Sequence, residues 1–204
     1  MKRFTAFTLS EVLVTLGIIG VVSALTIPTL MKNHQRQINA IQLKKVYSEL
    51  SQAFKEEITE SKTVSLIEAG TFYGGNKNKV KGFFSNHFSK SKLCDTFKEC
   101  FPASYKRLDG VPVSLSYSDV ACAVLADGAA VCIRYFMDGS DDTWKIIIDT
   151  NGKQGPNIIA RDFFVAKVTM FGEVLSESEF GHDSEINENT ALSRIIQDGW
   201  EMNY

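Results

Sequence analysis

The chain is poor in the patterns that mark most enzymes and nucleic-acid-binding proteins. Its three histidines, His34, His87 and His182, are scattered along 204 residues. The sequence has no nucleophile elbow, no glycine-rich phosphate loop and no HExxH pair. With a net charge of −2, it also lacks the overall basicity that binding to nucleic acid or an anionic lipid surface would favour. We therefore predict a protein that is not an enzyme.

Cysteine is also scarce, and none of the four cysteines belongs to a CxxC pair or has a histidine at metal-ligand spacing. The four are Cys94, Cys100, Cys122 and Cys132. An even set in a chain with an export-type N-terminus predicts two disulfides formed in an oxidising compartment. Buried free thiols in a cytosolic protein are the alternative.

Charged residues are almost absent from residues 7–31, where Glu11 is the single one. At about 1.5 Å per helical residue this apolar run is roughly 37 Å long, enough to cross the hydrocarbon core of a bilayer. A carboxylate near the end of such a helix is costly and normally has a partner. A short basic leader with Lys2 and Arg3 precedes the run. We expect a membrane-spanning helix in which Glu11 has a specific role.

The basic leader, Ala6, Phe7 and Glu11 together resemble the N-terminal signal of type IV pilins and type II secretion pseudopilins. The resemblance implies that a prepilin peptidase cuts between Ala6 and Phe7 and methylates Phe7. Glu11 then becomes the fifth residue of the mature chain, where this family carries its glutamate. Two residues depart from the family pattern: Ala6 replaces the usual glycine, and Ser10 stands where an aliphatic residue is more common.

The resemblance also implies how the chain assembles. The freed amine of Phe7 and the Glu11 carboxylate of a neighbouring subunit would neutralise each other, because two charges that are costly alone in a membrane are tolerable as a pair. Gly20 and Pro28 lie where pilins often loosen their first helix. Helices packed head to tail do not close a ring, so they produce a filament. In the alternative interpretation, Glu11 only caps the first helical turn, where a negative charge is favourable.

As a member of this family the chain would be a structural subunit of a type II secretion pseudopilus or a type IV pilus-like filament. Before assembly it would cross the bacterial cytoplasmic membrane once, with its C-terminal domain extracytoplasmic. The implied partners are the lipid bilayer, the prepilin peptidase, an inner-membrane assembly platform and identical or related pilin-like subunits. Alternatives are a minor pilin with an adhesive or DNA-uptake role, a singly anchored domain that does not polymerise, and a secreted protein whose signal peptide is cut after Ala24.

The apolar pattern continues beyond the membrane segment at helical spacing. One stripe carries Leu43, Tyr47, Leu50, Phe54 and Ile58. We therefore predict one long helix from about residue 7 to about residue 61, which Pro28 should kink or locally melt. The predicted organisation is a leader (1–6), a transmembrane and assembly helix (7–31), its amphipathic continuation (32–61) and a globular β-rich domain (62–204). The fold class is α+β, with the long helix packed on a C-terminal antiparallel sheet.

From residue 111 the chain has the pattern of β-strands. Branched and aromatic residues predict strands over 111–117, 119–126, 129–137 and 144–149. A three-residue loop ending at Gly128 would place Cys122 opposite Cys132, at a distance compatible with a disulfide. We therefore favour the pairs Cys94–Cys100 and Cys122–Cys132, although spacing leaves all three pairings open. A short helix, a stop at Gly199 and a terminal strand close the chain.

The segment 144–168 carries a second resemblance, to a strand–loop–strand unit of pseudopilin-like proteins. Asp149, Asn151 and Asp162 fit its D-x-N-G-x-x-G-P-N and D-x-F pattern. Some secretion pseudopilins have a calcium-ordered loop, so the resemblance implies these three residues as oxygen ligands for calcium. The alternative is an Asx-rich turn whose side chains bond the backbone.

Within residues 77–92, lysines lie on both sides of three phenylalanines. This pattern matters because some pilin-like proteins serve DNA uptake. Basic side chains beside aromatic rings are a pattern that binds single-stranded nucleic acid. The sequence has no recognised binding motif here, and Phe83, Phe84 and Phe88 also form the apolar face of a short helix. We therefore favour a solvated lysine face over buried rings and do not expect a nucleic-acid partner.

Overall fold

The computed structural model describes residues 8–72, 76–138, 141–176 and 185–204. The chain divides into two compact units, one that ends at Ile38 and one that extends from Asn39 to Tyr204. Helix α1 (Leu9–Glu60) contributes residues to both units. The prediction of one long helix packed on an antiparallel sheet is therefore confirmed.

Burial along helix α1 begins at Asn39. The buried side chains then follow helical spacing: Asn39, Ala40, Leu43, Val46, Leu50, Ala53 and Phe54. These side chains form one stripe because residues three and four apart lie on the same helical face. The stripe joins the hydrophobic core of the C-terminal unit.

The remaining elements of the C-terminal unit follow in chain order. They are α2 (Lys77–His87), β1 (Lys92–Cys94), α3 (Phe97–Cys100), β2 (Tyr105–Lys106), β3 (Pro112–Val113), β4 (Val120–Val124), β5 (Ala130–Asp138), β6 (Asp141–Asp149), β7 (Phe163–Val168), β8 (Val174–Ser176) and α4 (Ala191–Gln197). Within the described residues, β1-β4-β5-β6-β7-β8 form one antiparallel sheet, and β2 pairs with β3 in a separate ribbon.

Aromatic side chains join helix α1 to the elements packed on it. The Phe54 ring of α1 stacks on the Phe83 ring of α2, with 5.0 Å between centroids. Phe72 lies edge-on to both rings and 5.1 Å from the Trp144 ring of β6. All four side chains are almost fully buried. This cluster therefore links the helix, the loop that follows it and the centre of the sheet.

The β4–β5 hairpin has the predicted three-residue loop. Leu125 donates its N–H to the carbonyl of Ala129, and Gly128 has a φ of +94°, which favours glycine. The strands are in register so that Cys122 faces Cys132, and the two are bonded. Cys94 and Cys100 form the other disulfide. This is the pairing that the sequence analysis favours.

Two strand predictions are wrong. Residues 111–117 contain only the short strand β3, because their alternating apolar side chains rest on the core while the backbone finds no sheet neighbour beyond β2. The chain end is not a strand either. It is held by side chains, since Met202 is buried and the Tyr204 hydroxyl donates to the Ala160 carbonyl at 2.7 Å.

Candidate functional sites

Among the described residues, helix α1 alone is long and apolar enough to cross a membrane. Between Leu9 and Met31 its large apolar side chains are all exposed within the chain, at 42–77%. They are Leu9, Val12, Leu13, Val14, Leu16, Ile18, Ile19, Val21, Val22, Leu25, Ile27, Leu30 and Met31. A surface of this size and polarity requires an apolar environment such as lipid or other protein.

Glu11 lies at the start of this apolar helix, in contact with Thr8. The backbone N–H and the hydroxyl of Thr8 both donate to Oε2 of Glu11 at 2.8 Å, and the Glu11 N–H reaches the Thr8 hydroxyl at 3.3 Å. This is a capping box, a T-x-x-E motif that satisfies amides at a helix N-terminus. The T-x-x-E spacing of Thr8 and Glu11 is the local sequence signal for this cap, in addition to the charge of Glu11.

The capping bonds occupy one side of the Glu11 carboxylate. Both bonds that it accepts end on Oε2, and no described residue donates to Oε1. The group can therefore keep its cap and still accept a donor from outside the chain. Ala6 and Phe7, the predicted processing residues, lie outside the described part of the chain.

Gly20 and Pro28, the other predicted assembly residues, lie within α1 without interrupting it. The helix is continuous from Leu9 to Glu60, so the local melting predicted at Pro28 does not occur in the described chain. A Cβ atom added at Gly20 would meet nothing within 4 Å. The chain's own packing thus gives no reason for glycine at this position.

The predicted calcium ligands belong to the loop between β6 and β7. Asp149 ends strand β6 and accepts a hydrogen bond from the Tyr105 hydroxyl at 2.6 Å on Oδ2 and one from the Asn151 N–H at 3.1 Å on Oδ1. Asp162 accepts from two successive amides, those of Asn157 at 2.7 Å and Ile158 at 2.6 Å. Each carboxylate oxygen therefore already has an N–H or O–H donor.

Burial changes the acidity of this cluster. Asp149 and Asp162 are both fully buried, and loss of hydration raises the pKa of Asp149 to about 8 and that of Asp162 to about 6. Burial, together with the nearby Asp149, also raises the pKa of Tyr105. At neutral pH the Asp149 carboxyl group therefore holds its proton, whereas Asp162 is mostly ionised.

This arrangement fits the Asx-rich turn better than it fits calcium. The carboxylates hold the loop backbone in place, and the Asn151 amide group donates to the Gly155 carbonyl at 3.3 Å. In the described ranges, no group of three or more His, Cys, Asp or Glu side chains is placed to hold a metal ion. Calcium binding stays a prediction that the geometry does not favour.

The lysine-rich helix α2 shows what its aromatic residues do. Phe83 and Phe84 are buried, so their faces are not available to stack on bases. Lys77 and Lys81 pair with Asp119 at 3.2 Å and Asp95 at 2.5 Å, respectively. These contacts support the prediction of a solvated lysine face over buried rings.

Sequence reasoning missed two polar contacts inside the domain. The first joins Tyr105 to Asp149, and the second joins His87 to Glu57. The His87 ring is almost fully buried, with Nε2 2.7 Å from a Glu57 carboxylate oxygen. Glu57 also accepts a hydrogen bond from the Thr71 hydroxyl. No local sequence pattern signals these contacts, because each joins residues that only the tertiary fold brings together.

Comparison with known proteins adds no relative. No family model, no curated protein and no solved structure matches this chain.

Proposed function

We propose that the chain is a structural subunit of a pilus-like filament, a type II secretion pseudopilus or a type IV pilus, assembled through the first half of helix α1. The observation that carries the proposal is the position of Glu11, the single acid within the apolar segment 7–31, whose large apolar side chains from Leu9 to Met31 the described chain leaves uncovered. The resemblance of residues 1–11 to a prepilin signal supports the same function.

The proposed contact between subunits uses Oε1 of Glu11, the carboxylate oxygen that accepts no hydrogen bond from the described residues. Processing between Ala6 and Phe7 leaves Thr8 in the chain, so the capping bonds can persist in the mature subunit. Thr8 then holds Glu11 in one rotamer, and Oε1 accepts the Phe7 amine of a neighbouring subunit. Pairing of the two charges lowers the cost of placing each in an apolar environment and selects one axial stagger between helices.

The partners proposed from the resemblance are the bilayer, a prepilin peptidase, an inner-membrane assembly platform and related subunits. The domain from Asn39 to Tyr204 would lie outside the cytoplasm, where its two disulfides can form and persist. The buried rings of helix α2 make a DNA-uptake role the weaker proposal.

A rival function is a singly anchored domain that never polymerises. The Thr8–Glu11 bonds favour it, because a helix cap gives Glu11 a role within its own chain. The two functions differ in what the loss of Glu11 changes: a cap contributes only about 1 kcal/mol to helix stability, whereas an intersubunit ion pair decides whether subunits associate.

The test is Glu11→Ala in the full-length chain, expressed with its export machinery, with Glu60→Ala as the matched control. Glu60 is an exposed glutamate at the other end of the same helix. We expect Glu11→Ala to remain in the membrane fraction and to lose sedimentable filament, while Glu60→Ala assembles normally. Filament formation by Glu11→Ala at the wild-type level would overturn the proposal.

Mass spectrometry of the native N-terminus provides an independent test. The proposal requires a mature chain that begins at a methylated Phe7. A chain that begins at Leu25 would instead show ordinary secretion, and an intact N-terminal leader would exclude the freed amine on which assembly depends.

A further inference from the structure

Three of the four cysteines lie in one row across the sheet. Cys94 of β1 faces Cys122 of β4, and Cys122 faces Cys132 of β5. Register partners on antiparallel strands project their side chains to the same face of a sheet. Cys122 therefore has a cysteine on each side, although it is bonded only to Cys132.

The spacing of the row permits a bond on either side of Cys122. The Cα atoms of Cys122 and Cys132 are 4.0 Å apart, the close spacing of a non-hydrogen-bonded pair. On an antiparallel strand that is paired on both sides, such a residue forms a hydrogen-bonded pair with its other neighbour, at about 5.5 Å between Cα atoms. That separation lies within the range of protein disulfides.

We propose that Cys122 is a thiol–disulfide exchange centre with two alternative partners, and that Cys100 decides which one it keeps. In the structure Cys100 holds Cys94 in its own disulfide. When Cys94 is a free thiolate, its Sγ attacks Sγ of Cys122. The Cys122–Cys132 bond breaks, Cys132 leaves as a thiolate that takes a proton from water, and the Cys94–Cys122 bond forms without net oxidation or reduction.

In the wild-type chain, exchange needs an external reductant, a dithiol oxidoreductase or a small dithiol. A dithiol reduces Cys94–Cys100 to two thiols and is itself oxidised to a disulfide. The cysteines are shielded from such a reagent, since each is at most 2% exposed. Access requires local unfolding of β1. This strand has three residues and lies at the edge of the sheet, where local unfolding costs the least free energy.

The short loop between Cys94 and Cys100 also protects the row. Cys94 and Cys100 are 6 residues apart, whereas Cys122 lies much farther along the chain. Loop-closure entropy alone favours the short loop over Cys94–Cys122 by roughly tenfold. Cys100 therefore forms a disulfide with Cys94 before Cys94 can compete with Cys132 for Cys122. The Cys94–Cys100 bond thereby prevents attack on the Cys122–Cys132 bond. This inference does not depend on filament assembly.

The test uses single variants of the full-length chain, oxidised during export, then quenched in acid, unfolded, alkylated and mapped by mass spectrometry. In Cys100→Ser the row keeps three cysteines, so we expect the free thiol to be divided between Cys94 and Cys132. The matched control is Cys94→Ser, in which the free cysteine, Cys100, lies outside the row. There the thiol should stay on Cys100 and Cys122–Cys132 should remain intact.

The expected result is several-fold more Cys132 alkylation in Cys100→Ser than in Cys94→Ser. Alkylation of Cys94 alone in Cys100→Ser, or equal Cys132 alkylation in both variants, would overturn the proposal. If Cys100→Ser does not fold, the wild-type protein is treated with a limiting dithiol before mapping. A Cys94–Cys122 peptide then supports the proposal, and reduction of both native pairs without that peptide refutes it.

Discussion

In helix α1, Leu13 and Leu16 are 61% and 60% exposed, whereas Leu43 and Leu50 of the same helix are fully buried. The residue type is the same in both halves, so helix propensity does not distinguish them. Burial of a leucine side chain contributes about 1.5–3 kcal/mol, and only the second half gains this from the chain's own core. The first half can gain it only from an apolar environment outside the chain, such as lipid or other protein.

The two regions also differ in how they hold a carboxyl group. Glu11 is on the surface of the isolated chain, capped by Thr8 and open on one oxygen. Asp149 is buried, and both of its oxygens accept hydrogen bonds from within the domain. Asp149 is therefore satisfied by its own domain, whereas the first half of the helix leaves one oxygen of Glu11 and an apolar surface without a partner among the described residues.

Removal of a ring at the centre of the buried half should be the most destabilising of the substitutions. Phe54→Ala deletes a fully buried side chain that contacts Phe72 and Phe83, and should lower the free energy of unfolding of the domain by about 3–5 kcal/mol. The measurement is chemical denaturation of the full-length chain in detergent, followed by tryptophan fluorescence. The matched control, Leu16→Ala in the exposed half, should leave this unfolding unchanged.

The contrast between the two halves of α1 would be refuted if Phe54→Ala and Leu16→Ala changed the free energy of unfolding equally. A loss below about 1 kcal/mol for Phe54→Ala would mean that the second half of the helix is not part of the core. Equal losses in both variants would mean that the first half packs on the domain in solution.

The outcome for helix α1 shows what sequence reasoning can and cannot predict. The stripe from Leu43 to Ile58 predicted the length of the helix and the face that packs on the domain. It could do so because the spacing of apolar residues along the chain gives the period of burial. The Asp127-Gly128 turn likewise predicted the register of Cys122 and Cys132. Local patterns thus specified the helix and the hairpin, and they favoured the cysteine pairing that the structure has without excluding the other two.

Sequence reasoning failed where tertiary contacts decide. Residues 111–117 have a strand pattern, but a strand needs a neighbour, and the sequence does not say which backbone will be adjacent. Tyr105 and Asp149 are far apart in the chain, so their 2.6 Å contact carries no local signal. For the loop between β6 and β7 the sequence allowed either an Asx-rich turn or a calcium site. The fold supplies amide and hydroxyl donors to the carboxylates, which fits the turn, and calcium binding stays a prediction.

The buried acids should make the domain less stable as pH rises. The pKa of Asp149 is raised to about 8 and that of Asp162 to about 6, from an ordinary value of 3.8. Between pH 4 and 8 the native state therefore holds protons that the unfolded chain has released. Stability should be greatest at about pH 4 and should fall by up to about 1.4 kcal/mol per pH unit for each titrating group.

The variant Asp149→Asn tests the source of this slope. An asparagine can accept from the Asn151 N–H and donate to the Tyr105 hydroxyl, so it imitates the protonated carboxyl group. Above about pH 6 Asp162 contributes little, and the decline that remains in the wild type should be absent in Asp149→Asn. Urea denaturation at half-unit pH steps measures both curves. A wild-type stability that rises from pH 4 to pH 8 would contradict the assignment.

The smallest predicted effect concerns a polar group on the buried half of α1. The Tyr47 hydroxyl donates to the Val174 carbonyl of β8 at 2.9 Å, and its ring lies edge-on to Trp200 at 5.3 Å. Tyr47→Phe removes the hydrogen bond and keeps the ring contact, so it should lower the free energy of unfolding by about 1 kcal/mol.

The control is Ile41→Ser, a change at a side chain of the same helix that is 68% exposed, which should alter the unfolding free energy by less than about 0.5 kcal/mol. Comparing the two variants separates contact with the domain from position on the helix. If Ile41→Ser were the more damaging variant, Ile41 would be covered in the intact protein. Since the described residues leave Ile41 uncovered, lipid, detergent or another protein would then have to cover it, and the surface that needs an outside partner would extend beyond the apolar first half of α1.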